Sequence, residues 1–129
     1  MGGQERMARI LLVEDDAEVG RLLEHVLATE RYDVDRATTV TDACSELDAH
    51  NYDLVLADAR LPDGTGMKVA DCAAESGIKT LIITGYGFAY PELRNYEYLL
   101  KPVRPAELLR AVRSMLGPTA SAKSAPVAR

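Results

Sequence analysis

Apolar positions along the chain fall into two alternating patterns. Short apolar runs at residues 10–13, 34–37, 54–57, 81–84 and 98–100 have the length of strands, and their near-continuous apolar character fits a sheet covered on both faces. Between them, Val19, Leu22, Leu23, Val26 and Leu27 recur at i, i+3 and i+4, and Leu108, Leu109, Val112, Met115 and Leu116 repeat that spacing, predicting two amphipathic helices. Asp16 precedes the first and Pro105 opens the last, in keeping with an N-cap and a first-turn proline. Thr39 or Thr41 caps a further helix reaching about His50, and another spans 66–76, ended by Gly77. Each parallel crossover needs a dozen or so residues, which these helices supply. The predicted class is therefore a doubly wound α/β fold with helices on both faces of a parallel sheet.

Ligands of such sheets bind beyond the carboxyl ends of the strands, which directs attention there. Glu14, Asp15 and Asp16 follow the first run directly, Asp58 follows the third, Thr84 closes the fourth and Lys101 follows the fifth. One charged residue after a strand is ordinarily a solvated turn residue. Four strands ending this way on one edge point to a site. Three adjacent acids repel one another unless a cation offsets them, and Mg²⁺ is held by one or two carboxylates with water and phosphate. A carboxylate attacks phosphorus only when cations neutralise the phosphoryl oxygens. The acids offer a Mg²⁺ site, with Mn²⁺ as an alternative occupant; Lys101 offers a fixed ammonium and Thr84 a hydroxyl donor.

Composition narrows the setting. With 129 residues, 47% apolar and 27% charged, the chain is long enough for one domain with a buried core. Its net charge of -5 argues against a non-specific nucleic-acid or anionic-membrane binder. The first nine residues are polar with no apolar h-region, so neither a signal peptide nor a membrane span is expected, and the setting is cytoplasmic. Cys44 and Cys72 fall in helix-like segments, where free cysteines pack as small hydrophobes; no disulfide and a reduced environment are expected. Residues 1–8 are read as a flexible start, 9–116 as the domain, and the Ala-, Ser- and Pro-rich 117–129 as a disordered tail.

Taken together, the acids after the first strand, Asp58 with Leu61, Pro62, Asp63, Gly64 and Gly66, then Thr84, Lys101 and Pro102 resemble a response-regulator receiver domain. The resemblance covers about 9–116. It implies five parallel strands in the order 2-1-3-4-5 with five helices, a flavodoxin-like and chemotaxis-regulator-like fold, and phosphoryl transfer from a sensor kinase's phosphohistidine or a histidine phosphotransfer protein. Asp58 then matches the phosphoacceptor; Asp15 and Asp58 match direct metal ligands, Glu14 a ligand through water, and Arg60 the backbone-carbonyl ligand. Asp16 falls outside the pair and fits a helix cap instead. The family couples Thr84 to an aromatic three positions before the lysine, here Tyr98, as a switch, and usually holds the bond before Pro102 in cis.

Between Thr84 and Lys101 the chain is shorter than the family norm by about one helical turn, roughly four residues. The fourth helix is therefore expected to be short or irregular, with one turn around 92–95, since Pro91 and the flexible Gly85 and Gly87 flank it. Tyr86, Phe88, Tyr90, Tyr96 and Tyr98 are five of the chain's seven aromatic residues. They either fill the space of the missing turn or, at Tyr86, Phe88 and Tyr90, anchor a partner. Tyr86 and Arg60 are also placed to screen the acceptor from water.

The function these features predict is a stand-alone phosphoacceptor switch, not a metabolic enzyme, that binds an unknown downstream protein, since no output domain follows Leu116. The alternatives are a phosphorelay carrier and a phosphorylation-independent docking module. Neither nucleic acid nor membrane is an expected partner. A flavin-phosphate binder is disfavoured because acids at the strand ends repel phosphate and no phosphate-cradling glycine loop opens the first helix.

Overall fold

The computed structural model describes residues 8–85 and 91–122. Strands β1 (Arg9–Val13), β2 (Asp33–Ala37), β3 (Leu54–Asp58), β6 (Thr80–Thr84) and β7 (Glu97–Leu100) form one parallel sheet in the order β2-β1-β3-β6-β7. Strands β4 (Arg60–Leu61) and β5 (Gly64–Thr65) make a small antiparallel hairpin directly after β3. Helices α1 (Ala17–Ala28), α2 (Val40–Ala49), α3 (Gly66–Glu75) and α4 (Pro105–Ala122) complete the layers. The expected order and class are met.

Side-chain alternation divides the core between the two faces of the sheet. Leu11 and Val13 of β1, Val55 and Ala57 of β3 and Ile82 of β6 pack with Ala43, Leu47, Met67, Val69 and Ala73 of α2 and α3. Ile10, Leu12, Leu54, Leu56, Leu81 and Ile83 point the other way, onto Leu23, Val26, Leu27, Leu108 and Val112 of α1 and α4. Leu22 is a departure from the predicted helix face, lying 59% exposed beside the buried Leu23.

Local chemistry accounts for the element ends. The Asp16 carboxylate accepts hydrogen bonds from the Glu18 and Val19 amides and so caps α1. Thr39, of the two threonines considered, caps α2 by accepting from Asp42 N. At the end of α3, Gly77 N donates to Ala74 O and Ile78 N to Ala73 O, with Gly77 at φ 74°; this paired ending requires a left-handed residue. Gly117, at φ 77°, interrupts α4 where the tail was expected to begin.

Where a short or irregular fourth helix was expected, the described residues carry a 3-10 helix at Pro91–Asn95, and four α-helices in all. The expectation of free cysteines is corrected: Cys44 of α2 and Cys72 of α3 form a disulfide, their Cα atoms 5.8 Å apart. The two helices lie side by side on one sheet face, which brings together residues 28 positions apart in the chain. No described helix is long and apolar enough to cross a membrane.

Candidate phosphoryl-transfer site

The backbone ladders run slightly past the strands and carry the polar residues with them. Glu14 N donates to Ala37 O at 3.0 Å, Ala59 N to Ile83 O at 3.0 Å and Lys101 N to Thr84 O at 2.9 Å. Asp58 closes β3 opposite Ile83, and Thr84 closes β6 opposite Leu100. Strand pairing thus fixes where each side chain starts. The result is a cleft of about 490 Å³ whose walls include Glu14, Asp15, Asp58, Arg60, Gly85 and Lys101.

Carboxylate oxygens of Glu14, Asp15 and Asp58 lie within 4.8 Å of one another. The Lys101 ammonium donates to Asp58 Oδ2 at 3.1 Å and approaches Glu14 Oε1 at 3.4 Å. Burial works against the charge on Lys101, but its hydrogen bond to Asp58 and the charges of Asp58 and Glu14 outweigh it and raise the pKa. Burial likewise raises the Glu14 pKa, and the Asp58 charge adds to it, against the opposing pull of the Asp16 amide and Lys101. Three carboxylates meeting one ammonium leave unbalanced negative charge, and every donor is oxygen. That donor set suits a hard divalent cation.

The acceptor loop is shaped around Asp58. Arg60 N donates to Asp58 Oδ1 at 3.3 Å, Gly66 N donates to Ala59 O at 3.0 Å, and Leu61 is buried in the core. A side chain at Gly66 would collide with the Asp58 carbonyl oxygen, so only glycine lets α3 begin this close to β3. The Lys101–Pro102 peptide is cis.

Glu14, Asp15, Asp58 and Lys101 are therefore brought together as anticipated. Thr84 is buried at the end of β6, where the adjacent Gly85 rather than Thr84 itself lines the cleft. Tyr98 is 43% exposed on β7, and Tyr96 packs against the core. Tyr86, Phe88 and Tyr90 lie outside the described residues. Sequence reasoning gave Asp63 no task of its own. Its carboxylate accepts from Val40 N at 2.7 Å, Thr41 N at 3.0 Å and Thr41 Oγ1 at 2.9 Å. A Pro-Asp-Gly sequence signals a turn, but nothing in it names the helix that the turn reaches.

Comparisons with known proteins point to one family. The family profile described as the response regulator receiver domain matches residues 10–113. Response regulator ArlR of Staphylococcus aureus is 30% identical over 116 residues, covering 85% of this chain and 53% of that protein; the chain thus spans about half the length of the curated relatives it matches. Among solved structures, the response regulator TrrA of Thermotoga maritima, in complex with Mg²⁺ and BeF, aligns with a TM-score of 0.76 at 28% identity, over 83% of this chain and 97% of that one. The receiver domain of a sensor histidine kinase from Pseudomonas aeruginosa, with magnesium in its active-site cleft, aligns with a TM-score of 0.75 at 26% identity, over 85% and 98%. The chain belongs to the response regulator receiver domain family of two-component signalling.

Proposed function

We propose that this chain is a phosphoacceptor switch that takes a phosphoryl group onto Asp58 from the phosphohistidine of a sensor kinase or a histidine phosphotransfer protein. The observation that carries this reading is the meeting of Glu14, Asp15 and Asp58 within 4.8 Å under the Lys101 ammonium, 3.1 Å from Asp58. In the transfer, an Asp58 carboxylate oxygen forms the new P–O bond as the P–N bond breaks, and the histidine nitrogen keeps the electron pair. Lys101 pairs with a phosphoryl oxygen as a point charge, and Thr84 donates its hydroxyl to another. Glu14, Asp15, Asp58 and the Arg60 carbonyl would hold Mg²⁺, or Mn²⁺ in its place. When bound, the cation neutralises phosphoryl oxygens. The Mg²⁺ held by the two similar solved receivers supports Mg²⁺ as the cation.

The output is a shift between two packings of the β6–β7 face, in which Thr84 moves toward the phosphoryl group and Tyr98 follows. That shift governs binding to a downstream protein in the cytoplasm. The likeness to a receiver carried by a sensor kinase favours a second reading, in which Asp58 passes its phosphoryl group on to a histidine phosphotransfer protein. Incubation with Mg²⁺ and a small acyl phosphate, followed by intact mass measurement, should label the wild type and leave Asp58→Asn unmodified. An unlabelled wild type would reassign the chain to phosphorylation-independent docking. Loss of the label to an added histidine phosphotransfer protein would favour the relay.

A further inference from the structure

Asp63 stands at the tip of the β4–β5 hairpin, outside the cation cluster, and spends its carboxylate on a different element. It takes the Val40 and Thr41 amides and the Thr41 hydroxyl at the N-terminus of α2. Both oxygens are engaged, one by Val40 and the other twice by Thr41. Helix α2 has its own cap in Thr39, which accepts from Asp42 N at 3.0 Å. Asp63 therefore adds a second fastening from outside the helix, and what it fastens is the hairpin.

The hairpin is short and begins at the acceptor. Arg60 pairs with Thr65 and Leu61 with Gly64, and Gly66 N returns to Ala59 O, so its base is closed. Arg60 N reaches back to Asp58 Oδ1. The carbonyl assigned to the cation belongs to Arg60, three residues from Asp63. Asp63 thus ties the tip to α2 through three hydrogen bonds, at the end of the hairpin away from the Asp58–Arg60 contact at its base. The anchor is firm, because Cys44 of α2 is bonded to Cys72 of α3, the helix into which the hairpin leads.

We infer that Asp63 is a positioning residue for the cation site: by tying the hairpin tip to α2 it fixes the hairpin that carries the Arg60 peptide, whose carbonyl would be among the cation's ligands. This inference rests on the cation reading given above. Partners of this kind behind metal ligands commonly change metal affinity by about 10–100-fold when removed.

The test is calorimetric titration of Mg²⁺ into the full chain, with urea stability measured in parallel for each variant. Asp63→Ala should weaken Mg²⁺ binding about tenfold, and Asp63→Asn, which keeps one acceptor oxygen, should lose less. Thr39→Ala removes the helix's own cap without releasing the hairpin; it should lower stability while leaving Mg²⁺ affinity at the wild-type value. Unchanged affinity in Asp63→Ala, or an equal loss in Thr39→Ala, would overturn the inference by reducing Asp63 to general support of α2. A wild type that binds no Mg²⁺ is a separate result: it removes the cation reading itself, and this inference with it.

Discussion

Burial holds the Glu14 carboxyl above the usual carboxylate range, and the neighbouring Asp58 charge pushes the same way. A carboxyl whose folded pKa exceeds its unfolded value binds more protons in the folded state across that window, so stability falls as pH rises from about the ordinary glutamate value of 4.5. Without added cation, Glu14→Gln should therefore unfold at higher urea than wild type at pH 7, with the advantage shrinking toward pH 4. A variant no more stable than wild type at pH 7 would show that Lys101 already balances the charge. Asp63 runs the other way. The Val40 and Thr41 amides hold its pKa down, so its contribution is complete above the ordinary aspartate value of 3.8 and is lost as pH falls through the lower folded value. The difference in urea midpoint between wild type and Asp63→Asn should accordingly close on acidification below about pH 4. A gap that stays constant to pH 2 would mean that the carboxylate charge is not what holds the hairpin.

The elements differ in how much of them could be read from the chain alone. Strand positions and the helices α1 and α4 followed from apolar periodicity, because core burial on two faces leaves a direct mark on residue type. Leu22 misled, since the i, i+3, i+4 set admits one leucine too many, and only the placement of α1 on the sheet excludes it. The disulfide was misread for a different reason. Residue type places Cys44 and Cys72 on helices, but their meeting depends on how α2 and α3 pack across one sheet face, a fact of topology. The same holds for Asp63, whose turn was legible and whose target was not. A crosslink over a sequence separation of 28 restricts the unfolded chain, with a stabilisation of about 3–4 kcal/mol in the chain-entropy account. Reductant should lower the urea stability of the wild type by an amount of that order and leave the doubly substituted Cys44→Ser, Cys72→Ser chain unaffected. Equal midpoints for wild type with and without reductant would remove the crosslink from the stability of the fold.

At the scale of the whole molecule, the candidate site was the most legible part, because order along the chain and strand-end placement together put Glu14, Asp15, Asp58 and Lys101 on one edge. What that edge lacks is charge balance, and the molecule as a whole should register its restoration. A ligand that binds only the folded state stabilises it by mass action, about 2.7 kcal/mol at one hundred times its Kd. Mg²⁺ should therefore raise the melting temperature of the wild type progressively with concentration. Asp15→Asn removes a carboxylate from the cluster and should abolish most of that rise. Asp16 faces the other way in function: its carboxylate is committed to the Glu18 and Val19 amides, so Asp16→Ala should cost about 1 kcal/mol of basal stability while keeping the full Mg²⁺-dependent increment. The three adjacent acids would then separate in one titration, by increment for Asp15 and by baseline for Asp16. Equal increments in both variants would show instead that the triplet acts as a diffuse negative patch, with no division between cation ligand and helix cap.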